Sequence, residues 1–551
     1  MKRAAVIVFI TLSSFAILQS SKMEISQDTP YTRLDSLRGS ITPERAWWDL
    51  TYYHLNISVD PTTKTIKGTN QVDYKVLSEN QVIQIDLQTP MMLTSAMQNG
   101  QNLEFTKEGP AHFISLKDKQ SIGEVNTLML SYEGTPIEAK NAPWDGGITW
   151  AKDDNGIDFV ASSCQGIGAS LWWPCKDHMY DEVDSMLMSI TVPKHLMNVS
   201  NGRPRGVDEN KDGTNTYHWF VNNPINNYGV NINIGDYVHF NETYDGEKGP
   251  LDMDYYVLKD NLKKAKKHFK LAPKTIEALE HWFGPYPFYD DGYKLVEAPY
   301  LGMEHQSSVT YGNGYQYGYR GYDLSRTGWG MKWDYIITHE TGHEWFANNI
   351  TYEDMADMWI HESFTCYSEG LYTEYFFGKE AGAEYIRGLR AGIGNIAPMI
   401  GDYDVNSAGH GNVYSKGANV LHTLRQAIND DGKWRGILRG LNETFYHQTV
   451  TTQQIEEYIS EQAGQNFQFV FDQYLRNSSL PVFEYVIKED KINYRWSGVV
   501  DGFDLPIKVT IDGQEKWLEP KTKWQEVEMK NTTSLVVDPN FYVSVLNVMG
   551  S

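Results

Sequence analysis

Two histidines four residues apart, His339 and His343, enclose Glu340 in the run His339-Glu340-Thr341-Gly342-His343, and a further glutamate, Glu362, follows after eighteen residues. On an α-helix, residues four apart lie about 40° apart around the axis, so both imidazoles face one point. Two neutral imidazoles converging in this way bind zinc, and the glutamate beside the first lies close enough to hold an attacking water. The bland alternative is a pair of surface histidines beside an ordinary carboxylate. Glu362 decides between them, because a structural zinc site closes with four protein ligands whereas a catalytic one uses three and keeps a position open. His339, His343 and Glu362 form such a three-ligand set only if a second helix, carrying Glu362, packs on the first. His361 competes for the same place. Adjacent helical residues point about 100° apart, so only one of the pair can face the metal, and the spacing favours Glu362.

The rest of the chain supplies the frame for that helix pair. From Tyr31 to Tyr244 apolar and polar residues alternate with period two, as in Tyr53–Val59, Val82–Leu87, Leu187–Pro193 and Val230–Gly235, between Gly, Pro, Asn and Asp. This predicts a large antiparallel β region. The pattern turns helical over Lys259–Phe283, interrupted by Pro273, and again around Trp333–Asn348, His361–Phe377, Lys416–Asn429, Thr452–Ala463 and Phe467–Leu475. Strand alternation returns after Pro481, in Phe483–Ile487 and Leu535–Val537, while the Tyr/Gly-rich stretch from Tyr311 to Gly330 reads as a long loop. The 551 residues therefore divide into a signal segment (1–21), a β domain (22–245), a zinc-bearing helical domain (246–480) and a C-terminal β domain (481–551).

The signal segment rests on Lys2 and Arg3 followed by an apolar run from Ala4 to Leu18, which is shorter than the ~20 residues a spanning helix needs. An exported chain, periplasmic or extracellular and with no stable membrane insertion after cleavage, is expected. Three cysteines, Cys164, Cys175 and Cys366, are too few to staple such a chain. Cys164 and Cys175 either pair or stay as buried thiols. The net charge of −23 excludes nucleic acid as a partner, since no basic face is available to neutralise phosphates.

The run His339–Asn348, continued by Trp359-Ile360-His361-Glu362-Ser363-Phe364, resembles the aminopeptidase N and leukotriene hydrolase family of zinc metallopeptidases, the gluzincins. Phe283-Gly284-Pro285-Tyr286-Pro287-Phe288 and Leu480-Pro481-Val482-Phe483 extend the resemblance over nearly the whole chain. It implies a multidomain α+β fold: an N-terminal antiparallel β saddle, a thermolysin-like, mainly helical catalytic domain and a small C-terminal β-sandwich. The helical superhelix that caps the cleft of larger relatives has no counterpart in the sequence, so a more open active site is expected.

The resemblance also implies roles. Leu301-Gly302-Met303-Glu304-His305 matches the family's exopeptidase strand, Gly-x-Met-Glu-Asn, with its Met-Glu core kept and Leu301 and His305 as departures. Glu304 is thereby expected to bind the α-ammonium of the substrate, with Gly302 and Met303 beside it on the substrate side. Gln165, in Ser163-Cys164-Gln165-Gly166, matches a second substrate-facing position, whereas Pro174-Cys175-Lys176-Asp177 matches an element of structural character. Tyr414, in a Tyr-x-Lys-Gly run before a helix, matches the donor to the tetrahedral oxyanion. Glu369, seven residues past Glu362 on the same helical face, either orients a metal ligand or forms a surface ion pair. Together these imply one Zn²⁺ per chain, Glu340 as general base, and hydrolysis of the first residue from peptides with a free N-terminus. A zinc endopeptidase using the same ligands, or a silent zinc-bearing peptide-binding protein, is the alternative.

Overall fold

A computed structural model describes residues 31–409, 411–488, 490–529 and 532–548. The expected signal segment lies outside them. Among the described residues no helix is long and apolar enough to cross a membrane.

The first region is built on an eight-stranded sheet. Its central hairpin pairs β1 (Trp48–Asp60) with β2 (Thr65–Val76), and Tyr53, Leu55, Ile57 and Val59 all point into the core, as strict alternation requires. A smaller four-stranded sheet contains β3 (Asp158–Ser163), whose end delivers the loop carrying Gln165. The large sheet is antiparallel except at one place: β4 (Ser185–Pro193) lies parallel to β1 on the far side from β2. Period-two alternation fixes which face a strand buries but not its partner, so this pairing carries no local signal.

The hairpin of β5 (Tyr237–Gly246) and β6 (Gly249–Leu258) straddles the expected boundary at residue 245 and joins the sheet of the helical domain, in which β7 (Tyr293–Glu297) and β9 (Val309–Tyr311) lead to the edge strand β8 (Gly302–Met303). Helix α1 (Leu271–Phe283) starts before Pro273 rather than being broken by it. In the first turn a proline loses nothing, because that N–H has no intrahelical partner. The break falls instead between His268 and Leu271. The two helices of the metal motif are α2 (Tyr335–Gly342) and α3 (Trp359–Phe377), and α4 (Ser415–Ile428) packs on α3. Helices over Lys379–Gly388 and Asp431–Thr444 lie outside the expected ones, although Trp434, Ile437, Leu438 and Leu441 recur at helical spacing. Gly382, Gly432, Gly436 and Gly440 dilute their helical signal, each costing about 1 kcal/mol of propensity against alanine.

The C-terminal region is a four-stranded sheet facing a three-stranded one. Its apolar side chains, among them Phe483, Trp496 and Phe541, form one continuous core with the helical domain, whereas the N-terminal sheets have a core of their own. Arg390 fastens the join by donating to the carbonyls of Pro539 and Asn540.

Candidate metal centre and cleft

Helix α2 begins at Asp334, whose carboxylate accepts the backbone N–H of Ile337 at 3.1 Å. It ends at Gly342, earlier than the apolar pattern suggests, because the chain tightens at Glu344 and Trp345 and then passes through Ala347 at φ 153°. The i, i+4 relation survives this early end: the His343 N–H still reaches the His339 carbonyl at 3.3 Å. Gly342 lets α2 approach α3, since a methyl there would lie 2.7 Å from Ser368 Oγ.

The three expected ligands meet in the buried seam between these helices. Nε2 of His339 and of His343 lie 3.7 and 3.5 Å from Glu362 Oε2. The second nitrogen of each ring is tied down. His339 Nδ1 donates to Glu369 Oε1 at 2.8 Å, and His343 Nδ1 donates to the Phe346 carbonyl at 3.0 Å with Thr365 Oγ1 alongside. A carboxylate and a carbonyl can only accept, so each Nδ1 carries a proton and, in the neutral ring, each Nε2 is left with its lone pair facing the centre. Glu369 is thus buried beneath the ligand ring rather than on the surface, and its other oxygen accepts the Tyr385 hydroxyl at 2.6 Å. His361 is turned away: its Nε2 accepts the Tyr352 N–H at 2.9 Å and its ring stacks on Tyr352.

This donor set fits zinc. Glu362 Oε2 is buried with no hydrogen-bond partner, an uncompensated acceptor that a cation satisfies. Four donors held tetrahedrally at ~2.1 Å from a zinc stand about 3.4 Å apart, close to the separations observed. Among protein groups alone, burial opposes protonation of both imidazoles. Glu362, joined at His339 by Glu369, outweighs it and holds both above the usual 6.5. Burial likewise pushes Glu362 up, but the two imidazoles more than reverse that, holding it far below the carboxylate range. Removing the charge under His339 by Glu369→Gln is expected to weaken zinc binding about 10–100-fold in competition with a chelator. An unchanged affinity would reduce Glu369 to packing.

Two further carboxylates face the same cleft. Glu340, on α2, is raised to about 7, chiefly by burial, with the imidazoles pulling the other way. Glu304 follows β8 directly and is buried; its Oε1 accepts from Gln165 Nε2 at 2.8 Å and from the Tyr228 hydroxyl at 3.1 Å, and Asn348 donates to its carbonyl at 2.9 Å. Gln165 Nε2 also reaches Glu362 Oε1 at 3.0 Å, so a residue of the N-terminal β region closes one wall of the centre. Gly302 lies against Glu340, where a Cβ would come within 3.0 Å of Oε1, and Met303 lines the cleft. Tyr414 caps α4, and its ring stacks on His339 with centroids 6.2 Å apart. It remains 36% exposed, at the cleft rather than in the core.

All ten site residues read from the sequence therefore converge here, while His305 is buried facing Thr310, with burial holding its pKa down to about 3. The three cysteines are free and buried. Lys176 is structural: buried, it donates to the Trp48 carbonyl and pairs with Asp181. Tyr228, Thr365, Tyr385 and Tyr335, which stacks on His339, were not foreseen, because their only signal is three-dimensional proximity.

Comparison with known proteins follows the same division. Residues 268–474 match the model of the peptidase family M1 domain, and residues 50–228 match the model of the peptidase M1 N-terminal domain. A leukotriene A-4 hydrolase from Xenopus laevis is 21% identical over 457 residues, covering 76% of this chain and 68% of that protein. Endoplasmic reticulum aminopeptidase 1 from Mus musculus is 22% identical over 476 residues, or 81% of this chain, which spans about half (49%) of its length. A crystal structure of an M1 zinc metallopeptidase from Deinococcus radiodurans superposes with a TM-score of 0.62 at 21% identity, over 75% of this chain and 90% of that one. A mutant of the Deinococcus radiodurans M1 enzyme bound to a Tyr-Ser-Ala substrate gives 0.64 at 20%, over 79% and 96%.

Proposed function

The chain belongs to peptidase family M1, and from that premise we propose that it is a zinc-dependent aminopeptidase, releasing the first residue of peptides whose N-terminus is free. The observation that carries the reading is Glu304: a buried carboxylate, backed by Gln165 and Tyr228, set beside a second buried carboxylate and a metal-type triad. One cation at the triad leaves Glu304 and Glu340 facing the same small space, and a desolvated ammonium is what a buried carboxylate there would hold.

His339, His343 and Glu362 would hold the zinc, which when bound supplies Lewis acidity toward the attacking water and the scissile carbonyl. Glu340 takes the proton of that water and later gives it to the departing amine, a role that suits a carboxyl lifted toward neutrality. Tyr414 donates to the developing oxyanion. Glu304 and Gln165 tether the ammonium, so that the first peptide bond and no other comes under Glu340. Named activities of similar proteins, aminopeptidase among them, accord with this chemistry. Incubating an unblocked decapeptide with the zinc-loaded protein should yield, by mass spectrometry, a ladder shortened one residue at a time from the amino end. Internal fragments appearing first would favour an endopeptidase.

Metal uptake should carry a proton signature. Both imidazoles are held above 6.5 by carboxylates, and ligation requires them neutral, so zinc must displace protons. As pH falls more protons must be displaced and apparent affinity drops; as pH rises through the raised pKa values the dependence flattens. Calorimetry at pH 6.5 in two buffers of different ionisation enthalpy should show net proton release on zinc binding. Release of none would contradict the assignment.

A further inference from the structure

Gln165 reaches the centre from a loop whose tip has little packed against it. The loop leaves β3 at Cys164, turns at Gly166 with φ 75° and returns to the core at Ala169. Its ends are tied down. Gly168 donates to the Cys164 carbonyl at 2.9 Å, Gln88 donates to the Ile167 carbonyl at 2.7 Å, and the Asp177 carboxylate accepts the N–H groups of Ala169 and Ser170 at 3.2 and 3.1 Å. At the tip, a Cβ on Gly166 would meet no atom within 4 Å beyond its own neighbours. Beside it lies a cavity of about 40 Å³ bounded by Cys164, Gly166, Asp177, Tyr352 and Asn406. A segment with few packing contacts is placed by its hydrogen bonds.

The Gly166 carbonyl is where the tip is held. It accepts Arg38 Nη2 at 2.6 Å and Asn406 Nδ2 at 3.3 Å, and the charged donor is the stronger of the two. Arg38 is itself immobilised. It lies in the last turn of the short helix Arg33–Gly39, which opens on a capping box between Thr32 and Asp35. The buried Arg45 donates to the carbonyls of Arg38 and Ser40 at 3.2 and 2.8 Å while pairing with Asp86 at 2.6 Å. On its other side this strap lies on residues 402–407 of the helical domain. The Tyr31 hydroxyl reaches Asp402 and Ser407, and a Cβ on Gly39 would fall 2.0 Å from the Asn406 nitrogen. Two distant segments therefore close on one carbonyl, one residue past Gln165. A backbone shift of about 1 Å there would take the 2.8 and 3.0 Å bonds from Gln165 to Glu304 and Glu362 out of hydrogen-bond range.

We propose that Arg38 is a positioning residue for the amine end of the cleft: through the Gly166 carbonyl it holds the Gln165 amide against Glu304 and Glu362. The proposal rests on the aminopeptidase reading, and its test separates the two. Arg38→Met keeps the apolar stem and removes the donor. With the zinc-loaded full chain, this variant should raise KM for Ala-Phe-Ala roughly tenfold with kcat within about threefold, and Arg38→Lys should recover most of the loss. On a Gln165→Ala background Arg38→Met should add less than about twofold, because its effect passes through Gln165. Hydrogen exchange should show residues 164–170 exchanging faster in Arg38→Met while the large sheet keeps the parent's protection. Asn406→Gly suits the φ of 53° at that position, removes the weaker donor and should raise KM about threefold. An unchanged KM in either variant, a full multiplicative effect on top of Gln165→Ala, or faster exchange throughout the N-terminal region would overturn the positioning role and leave the aminopeptidase reading standing. No release of alanine by the parent chain would overturn both.

Discussion

Glu340→Gln is expected to lower kcat by about 10²–10⁴-fold while zinc stays bound with unchanged stoichiometry. Glutamine keeps the volume of the side chain and its packing against Gly302, but it cannot accept a proton. Glu340 converges with Glu304 and His343 in a second group but is not part of the His339, His343 and Glu362 set, so its replacement leaves those three ligands in place. Glu304 and Gln165, which tether the ammonium, are left in place, so peptide KM should change far less than kcat. Activity within threefold of the parent would remove Glu340 from the proton-transfer role. Loss of zinc along with activity would make it a ligand.

Tyr414→Phe should cost about 10²–10³-fold in kcat, the range for deleting one donor to an oxyanion. The ring is retained by its stack on His339, and α4 begins in the same way, since no side-chain hydrogen bond of Tyr414 caps it. Only the hydroxyl is lost. Partial desolvation in the cleft and the neighbouring carboxylates, Glu362 first, hold its pKa well above 10, so it remains a donor through the neutral and mildly alkaline range. No alkaline limb below pH 10 should therefore disappear in the variant. A fall in zinc affinity, or a KM effect with kcat unchanged, would assign Tyr414 to positioning or binding instead.

The sequence disclosed the parts of this site that local periodicity controls. His339, Glu340 and His343 share one turn, Glu362 and Glu369 share one face of the next helix, and the packing of the two helices brings His339, His343, Glu362 and Glu369 together at the seam. Glu304, Gln165 and Tyr414 became legible only through resemblance, because the contact of Gln165 with Glu362 spans 197 residues and two domains. Tyr385 lies on a neighbouring helix, and only the packing of the two helices brings its hydroxyl to Glu369. The fold shows the same limit. Strand alternation and most helical runs were readable, whereas the parallel register of β1 with β4 and the hairpin that joins the helical domain were settled by tertiary packing.

The claim that most needs testing is that a free amine directs cleavage. The direct measurement compares one tripeptide, Ala-Phe-Ala, with its N-acetylated form, using the zinc-loaded protein with and without a chelator. Release of alanine from the free peptide, lost on chelation and restored by zinc, with the acetylated peptide cut at least about 10²-fold more slowly, is the predicted result, since acetylation removes the ammonium that Glu304 would bind. Equal cleavage of both forms, or no cleavage of either with zinc bound, would contradict it.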